Sequence, residues 1–264
     1  MKNIAACFIV SIFFLFESNY ANSQFYINAS AGNAIPALKQ MVGTNNYHTQ
    51  AMYNRTSFDR GIFHSYGGGF SPCVVAGIKI GKHFSAELGY SYLFGAKKSF
   101  TSYYSDLHHG SRSYQNITNS IQMHRIQPGI RFSFLKNKFE FYNSLRIIIG
   151  VGGKFKMSLS YNYADSTSTA YHEGSGVYYG GLSTGFSNSL GTVYSLGKFG
   201  VFMEINFICQ SWAPKKGNGV EFTNPVGDPS PNPDLAAPMQ LLKQYYPLSS
   251  AGISIGLTYT FNKK

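Results

Sequence analysis

Charge is what this chain is shortest of. Only 12% of its 264 residues are Asp, Glu, Lys or Arg, about half the fraction usual in a water-soluble domain. Long apolar runs are missing too. After the first sixteen residues no window approaches the roughly 18 consecutive apolar residues that a membrane-crossing helix needs, so a helical membrane protein is excluded. Cysteine is scarce, and only Cys73 and Cys209 lie beyond residue 23. No His-x-x-His or Cys-x-x-Cys pair occurs, which leaves no zinc or redox signature, and no cofactor-binding motif is present. His108-His109, His124 and His172-Glu173 are the metal-ligand types available, and their spacing supports no site.

What is plentiful is glycine (28 residues), tyrosine (20) and phenylalanine (22) within a chain that is 44% hydrophobic. An apolar chain that lacks apolar runs has one remaining way to live in a membrane, a closed β-barrel, in which the backbone satisfies itself between strands. The periodicity agrees. In Ala251 to Phe261, Ile253, Ile255, Leu257, Tyr259 and Phe261 fall on one face and Gly252, Ser254, Gly256, Thr258 and Thr260 on the other. Eleven residues match a tilted membrane-crossing strand, and a polar face of only Gly, Ser and Thr suits a crowded barrel interior.

The same alternation predicts strands over Gln24 to Gly32, Gly69 to Ile80, Phe84 to Tyr92, Ile121 to Phe134, Phe139 to Gly152, about Val177 to Leu196, Phe199 to Trp212 and the terminal stretch. The chain therefore reads as all-β: an eight-stranded antiparallel up-and-down transmembrane β-barrel with four long extracellular loops. Short turns at Gly81-Lys82-His83, Leu135 to Lys138 and Gly197-Lys198 alternate with long polar stretches at Asn33 to Gly68, Gly95 to Asn119, after Gly152, and Ala213 to Pro247. All long stretches thus fall at one end. A soluble up-and-down barrel is the competing architecture, but its outward faces would be rich in Lys and Glu.

Two strands fit imperfectly. In the fourth, Ile126, Pro128, Ile130, Phe132 and Phe134 share a face that Ile121 and Met123 do not, and Pro128 cannot donate to the ladder, so a bulge is expected near His124 to Pro128. In the sixth, Leu182, Phe186 and Leu190 are also spaced like a helix face, against which Gly180, Gly181, Gly185 and Gly191 argue.

Residues 1–23 read as a secretory signal peptide, with Lys2, an apolar core from Ile4 to Phe16 and a small-residue cleavage site at Ala21-Asn22-Ser23; residues 24–264 form the barrel domain. Ile4-Ala5-Ala6-Cys7 precedes the apolar core, so it is not a lipidation box. The expected address is the outer membrane of a Gram-negative bacterium.

Several stretches carry a resemblance: Ile126-Gln-Pro-Gly-Ile-Arg-Phe132, Tyr142-Asn143-Ser144 within the strand from Phe139, Gln210-Ser-Trp-Ala-Pro-Lys215, and the Ile253-to-Phe261 terminus. Together they resemble the small porin-like outer-membrane β-barrel proteins of Bacteroidetes, similar in shape to eight-stranded OmpA/OmpX-type barrels without an attached peptidoglycan-binding domain. A mature chain starting at Gln24 resembles exported proteins of the same group. Alternation closing on Tyr259 and Phe261 resembles the insertion signal of such barrels, which implies the barrel-insertion machinery as a partner. Asp165-Ser166-Thr167 resembles the O-glycosylation motif of Bacteroidetes.

The face opposite the apolar one supplies six charges, Lys79, Glu87, Arg131, Glu140, Arg146 and Glu204. Counting from the short turns, the first four lie in the lower third and Arg146 and Glu204 near mid-height. Lone buried charges are costly, so paired networks that fill the lumen are expected. The formal net charge is +11, which in an exported barrel points to anionic lipid, not nucleic acid. Lys97, Lys98, Lys154, Lys156, Lys215 and Lys216 follow strands at the outer rim, either as a collar contacting lipopolysaccharide phosphates or as ordinary strand-flanking lysines. Cys73 faces the lumen by parity and Cys209 faces lipid, so no disulfide is expected. His172, Glu173 and Ser175 are the only cluster that an outer-membrane lipid-modifying enzyme would use, and the neighbouring Gly174 and Gly176 read as a flexible loop. Catalytic, cofactor and metal sites are therefore all read as none. The leading reading is a structural or surface-interaction protein working through its loops toward an unspecified extracellular ligand, with a narrow porin as the alternative.

Overall fold

The computed structural model describes residues 24–51, 54–106, 111–164, 169–223 and 245–261. The signal-peptide stretch, His108-His109, the Asp165-Ser166-Thr167 motif and the proline-rich part of the last long connection lie outside them.

Every described element is a strand: β1 (Phe25–Pro36), β2 (Gln40–Ala51), β3 (Asn54–His64), β4 (Gly69–Ile80), β5 (Phe84–Gly95), β6 (Lys98–Asp106), β7 (Ser111–Lys136), β8 (Phe139–Ala164), β9 (Thr169–Tyr179), β10 (Ser183–Leu196), β11 (Phe199–Trp212), β12 (Lys216–Thr223), β13 (Tyr246–Pro247) and β14 (Ser250–Thr260). Eight of them close a barrel in the cyclic order β1, β4, β5, β7, β8, β10, β11, β14, with every neighbouring pair antiparallel and β14 returning to β1. Three turns at one end are tight. Gly81, Asn137 and Gly197 take positive φ there, a conformation that glycine and asparagine adopt at least cost.

Polarity is the inverse of a soluble protein's. Mid-strand aliphatics point outward and stay open, among them Leu88, Ile130, Ile147 and Leu257 at 58%, 58%, 61% and 63% exposure. Ser, Arg, Glu and Gln point inward and are buried, with Arg125 at 1% and Ser144 at 0%. In water such an outer face would be one apolar patch around the whole molecule. At the turn end the face ends in a belt of rings: Phe25 touches Phe261, Tyr259 touches Phe199 and Phe261, Phe84 touches Phe132, and Phe134 stacks on Phe141. Tyr259 and Phe261 of the terminal stretch sit in this belt, and the Phe261 amide donates to the Phe25 carbonyl, fastening the end of β14 to the start of β1.

The four long connections all leave the opposite end, but much of their length is strand and not loop. β7 and β8 run 26 residues each, twice the barrel height, and β9, β12, β6, β2 and β3 add to them in the order β12, β9, β8, β7, β6, β2, β3. Among the described residues this outer wall is an open sheet with β3 and β12 at its edges. Backbone polar groups above a barrel are met most simply by continuing the ladder, and polar residues do so without advertising it through an apolar period.

Three sequence expectations need correction. The single strand expected over about Val177 to Leu196 is two, β9 and β10, divided at Gly180 and Gly181, both at positive φ. β7 alternates without interruption against β5 from Phe84↔Phe132 to Phe94↔Gln122, so it carries no bulge. The register slips in β8 instead, between Gln122↔Lys154 and His124↔Val151, where Gly152 takes φ 62° and the inward positions change from Ile148 and Gly150 to Gly153 and Phe155. Finally, His172, Glu173 and Ser175 lie on β9, paired with Tyr161, Ser160 and Ser158 of β8, and not in a flexible loop. Pro128 does leave a mark: the β7–β8 ladder is interrupted between Ile126↔Ile149 and Gly129↔Arg146, while its other edge pairs with Leu88.

Candidate functional site: the filled lumen and the outer wall

Parity decides what the lumen contains, and two tyrosines decide its lower half. Tyr26 on β1 lies over Gly77 on β4, and Tyr142 on β8 lies over Gly191 on β10; a Cβ at either glycine would sit 2.2 or 2.4 Å from the ring. With the rings laid flat across the lumen, the Arg131 guanidinium fits between them, 3.9 Å from the Tyr142 centroid and 5.1 Å from that of Tyr26.

Glu87 is the centre of the charge network. Its Oε1 takes the Arg131 Nε at 2.7 Å and the Tyr26 hydroxyl at 2.8 Å, and its Oε2 takes Arg146 at 2.9 Å. Arg131 also donates to Ser144 Oγ. Glu204 accepts from the Tyr142 hydroxyl at 2.9 Å, and Arg146 reaches Ser189, which donates to Asn206, which donates to Ser254. Side chains from β1, β5, β7, β8, β10, β11 and β14 thus meet across the lumen. Nearer the turns, Lys79 Nζ pairs with Glu140 Oε2 at 3.1 Å. All six charges read from the sequence lie inside, in two groups: Lys79 with Glu140, and Glu87 with Arg131, Arg146 and, through Tyr142, Glu204. The lower and middle levels are therefore not separate, because Glu87 bridges them.

Above the network comes a small cavity of about 50 Å³, lined in part by Cys73, Arg125, Gln127, Arg146, Ser187 and Glu204. Arg125 was not among the residues expected. It sits on the upper half of β7, where the anticipated bulge obscured its parity, although Ile126 facing outward already implied it.

Above that, the outer mouth is closed by an apolar cluster: Tyr66, Leu93, Ile121, Met123, Phe155, Tyr178, Trp212, Tyr246 and Leu248. Two connecting segments enter the mouth to build it. The Tyr66 amide donates to the Pro247 carbonyl, the Leu248 amide to Gln210, and Ser65 Oγ to Ser249. Phe155 packs on Tyr246 at 4.5 Å, Tyr66 on Phe155 at 5.5 Å, and the Trp212 indole N–H donates to the Gly180 carbonyl. Ile121 and Met123, the residues that broke the outward pattern of β7, belong to this plug. Beside it His64 stacks edge-on against Tyr66; burial, with Lys98 and Lys39 close by, pushes its imidazole down to about 4.

The lysines of the expected collar divide. Lys154 and Lys156 are exposed on β8, and Lys216 is exposed on β12. Lys154 and Lys216 both pair with Tyr179 of β9, so they flank one exposed tyrosine on the outer surface. Lys97 and Lys215 are exposed in connections, whereas Lys98 pairs with buried Asn119 and so shares the inner face of the wall. Glu173 and Ser175 are exposed on the outer surface of β9. Cys73 and Cys209 are free thiols, and no group of three metal-ligating side chains occurs among the described residues.

No family model matches the sequence, and no curated protein matches it. Among solved structures, the crystal structure of Neisserial surface protein A is similar over 91% of this chain and 99% of its own, at 13% identity and a TM-score of 0.35. The architecture described above rests on this chain's own strand registry.

Proposed function

We propose that this chain is an integral outer-membrane β-barrel that conducts no solutes and works through its outer surface. The observation that carries the reading is the doubly filled lumen, an ion-pair network crossing it at mid-height and an apolar plug in its outer mouth. The apolar outer face and the ring belt at the turn end support a lipid surround. Residues 1–23 supply the matching export signal, Tyr259 and Phe261 the contact for the insertion machinery, and the stretches quoted above support kinship with the small barrels of Bacteroidetes. A narrow porin is the weaker reading because a buried apolar cluster occupies the outer mouth. A lipid-modifying enzyme is weaker still, since Ser175 and Glu173 lie exposed on the surface of β9. A liposome-swelling assay with glycine- to glucose-sized solutes tests the central reading: swelling no faster than protein-free vesicles is expected, and porin-like swelling would overturn it.

The surface function has a first candidate in lipopolysaccharide. Lys154, Lys156, Lys215 and Lys216 lie around Tyr179 on the outer wall, with Lys97 on another connection, and their charges suit lipid phosphates just above the apolar belt. Replacing Lys97, Lys154, Lys156, Lys215 and Lys216 with Gln is expected to lower the lipopolysaccharide retained through purification. Unchanged retention would remove the collar.

A further inference from the structure

Among the described residues, the lumen holds one cation too many. Inside the barrel, Lys79, Arg125, Arg131 and Arg146 face Glu87, Glu140 and Glu204. Lys79 is paired with Glu140, and both Arg131 and Arg146 are bound to Glu87. Glu204, bonded to the Tyr142 hydroxyl, completes a balanced set of two arginines and two glutamates. Arg125 is outside that balance. It is 1% exposed, and neither its Nε nor its Nη2 has a hydrogen-bond partner. A buried guanidinium without a counter-ion is among the costliest groups a fold can keep.

The guanidinium does not lack room. It lines the 50 Å³ cavity with Ser187, whose buried Oγ is also unpartnered, and with Arg146 and Cys73. Such a volume holds a small anion with a water or two, at about 10–15 Å³ per water, and no sugar or peptide. We propose that the cavity is a binding site for a small inorganic anion of about chloride size, held by Arg125 with Ser187 donating. The bound anion supplies the missing negative charge and makes the lumen electrically neutral. Glu204 also lines the cavity, which disfavours multiply charged anions and points to a monovalent one. Because the site lies beneath the plug, the anion is a structural component of the barrel and not a solute in transit.

Two measurements on the full mature protein test this. In crystals soaked in bromide, anomalous density is expected in contact with the Arg125 guanidinium; its absence would overturn the site, water then being the only partner. In detergent solution, the unfolding midpoint is measured in sodium chloride against sodium gluconate at equal ionic strength, gluconate being too large to enter. The wild type is expected to gain a few degrees in chloride, about 3–5 °C at tenfold excess over Kd and rising with the logarithm of the chloride concentration. Arg125→Met is expected to lose that dependence and Arg125→Lys to keep most of it. A chloride effect that persists in Arg125→Met would also overturn the proposal, and should that variant fail to fold, the bromide density in the unmodified protein decides. Neither result depends on whether the barrel conducts.

Discussion

Glu87→Gln removes one charge and almost no volume, yet it strips the counter-ion from two buried arginines at once. Glu87 holds Arg131 at 2.7 Å and Arg146 at 2.9 Å and receives the Tyr26 hydroxyl at 2.8 Å, with the carboxylate fully shielded from solvent. Removing one partner of a fully buried ion pair costs roughly 3–5 kcal/mol. Two considerations move the figure in opposite directions: a second arginine is orphaned, but the glutamine amide still accepts one hydrogen bond and the adjacent cavity can bring water to Arg146. An expected loss of about 3–5 kcal/mol follows, equivalent to about 1.5–2.5 M in a urea midpoint at a slope near 2 kcal/mol per M. Trp212 is the sole tryptophan and lies in the plug, so its fluorescence reports unfolding without a label. The quadruple variant Glu87→Leu, Arg131→Met, Arg146→Leu, Glu204→Met is the control, because replacing a whole buried ionic cluster with apolar groups is often neutral or stabilising. A loss below about 1 kcal/mol in Glu87→Gln would refute the buried network, since surface-like pairs are the ones worth that little.

Other perturbations reach different levels of the lumen. Gly191→Ala puts a Cβ into the Tyr142 ring, 2.4 Å from the nearest ring atom, and is expected to cost about 1–3 kcal/mol by the same urea titration; Gly81→Ala, with nothing near its Cβ, loses only turn geometry and should cost less. His64 has its imidazole held down to about 4 by burial beside Lys98 and Lys39. The unfolded chain therefore takes up a proton first, so stability is constant above about pH 6.5 and falls as pH drops from there through 4. His64→Gln is expected to flatten that segment of the pH–stability curve, and an unchanged slope would assign it to other groups.

Much of the barrel was legible because lipid outside and packed side chains inside force a strict period of two. β4 and β11 lie where the alternation put them, and the residues read as inward face inward. Parity also brought six charges into the lumen, but it could not say which would touch: that Glu87 takes both arginines depends on strand stagger and on Tyr26 and Tyr142 lying across glycines. The outer wall was illegible for a physical reason. The sequences of β2, β3, β6 and β9 put polar residues at successive positions, so no apolar period marks them as strands. The plug left no mark in the sequence pattern for a related reason. Ile121 and Met123 are apolar yet point inward, and taken as lipid-facing they demanded a bulge in β7; the slip occurs at Gly152 in β8, where a glycine at positive φ accommodates it. Arg125 was lost in that misreading.

The function proposed for this barrel requires a closed lumen. Purified, refolded protein incorporated into a planar lipid bilayer in molar potassium chloride measures this most directly. The filled lumen predicts no steady conductance above the bare bilayer for the wild type, and openings only when the network or the plug is broken, as in Arg146→Ala or Trp212→Ala. A stable, porin-sized current from the unmodified protein would contradict it.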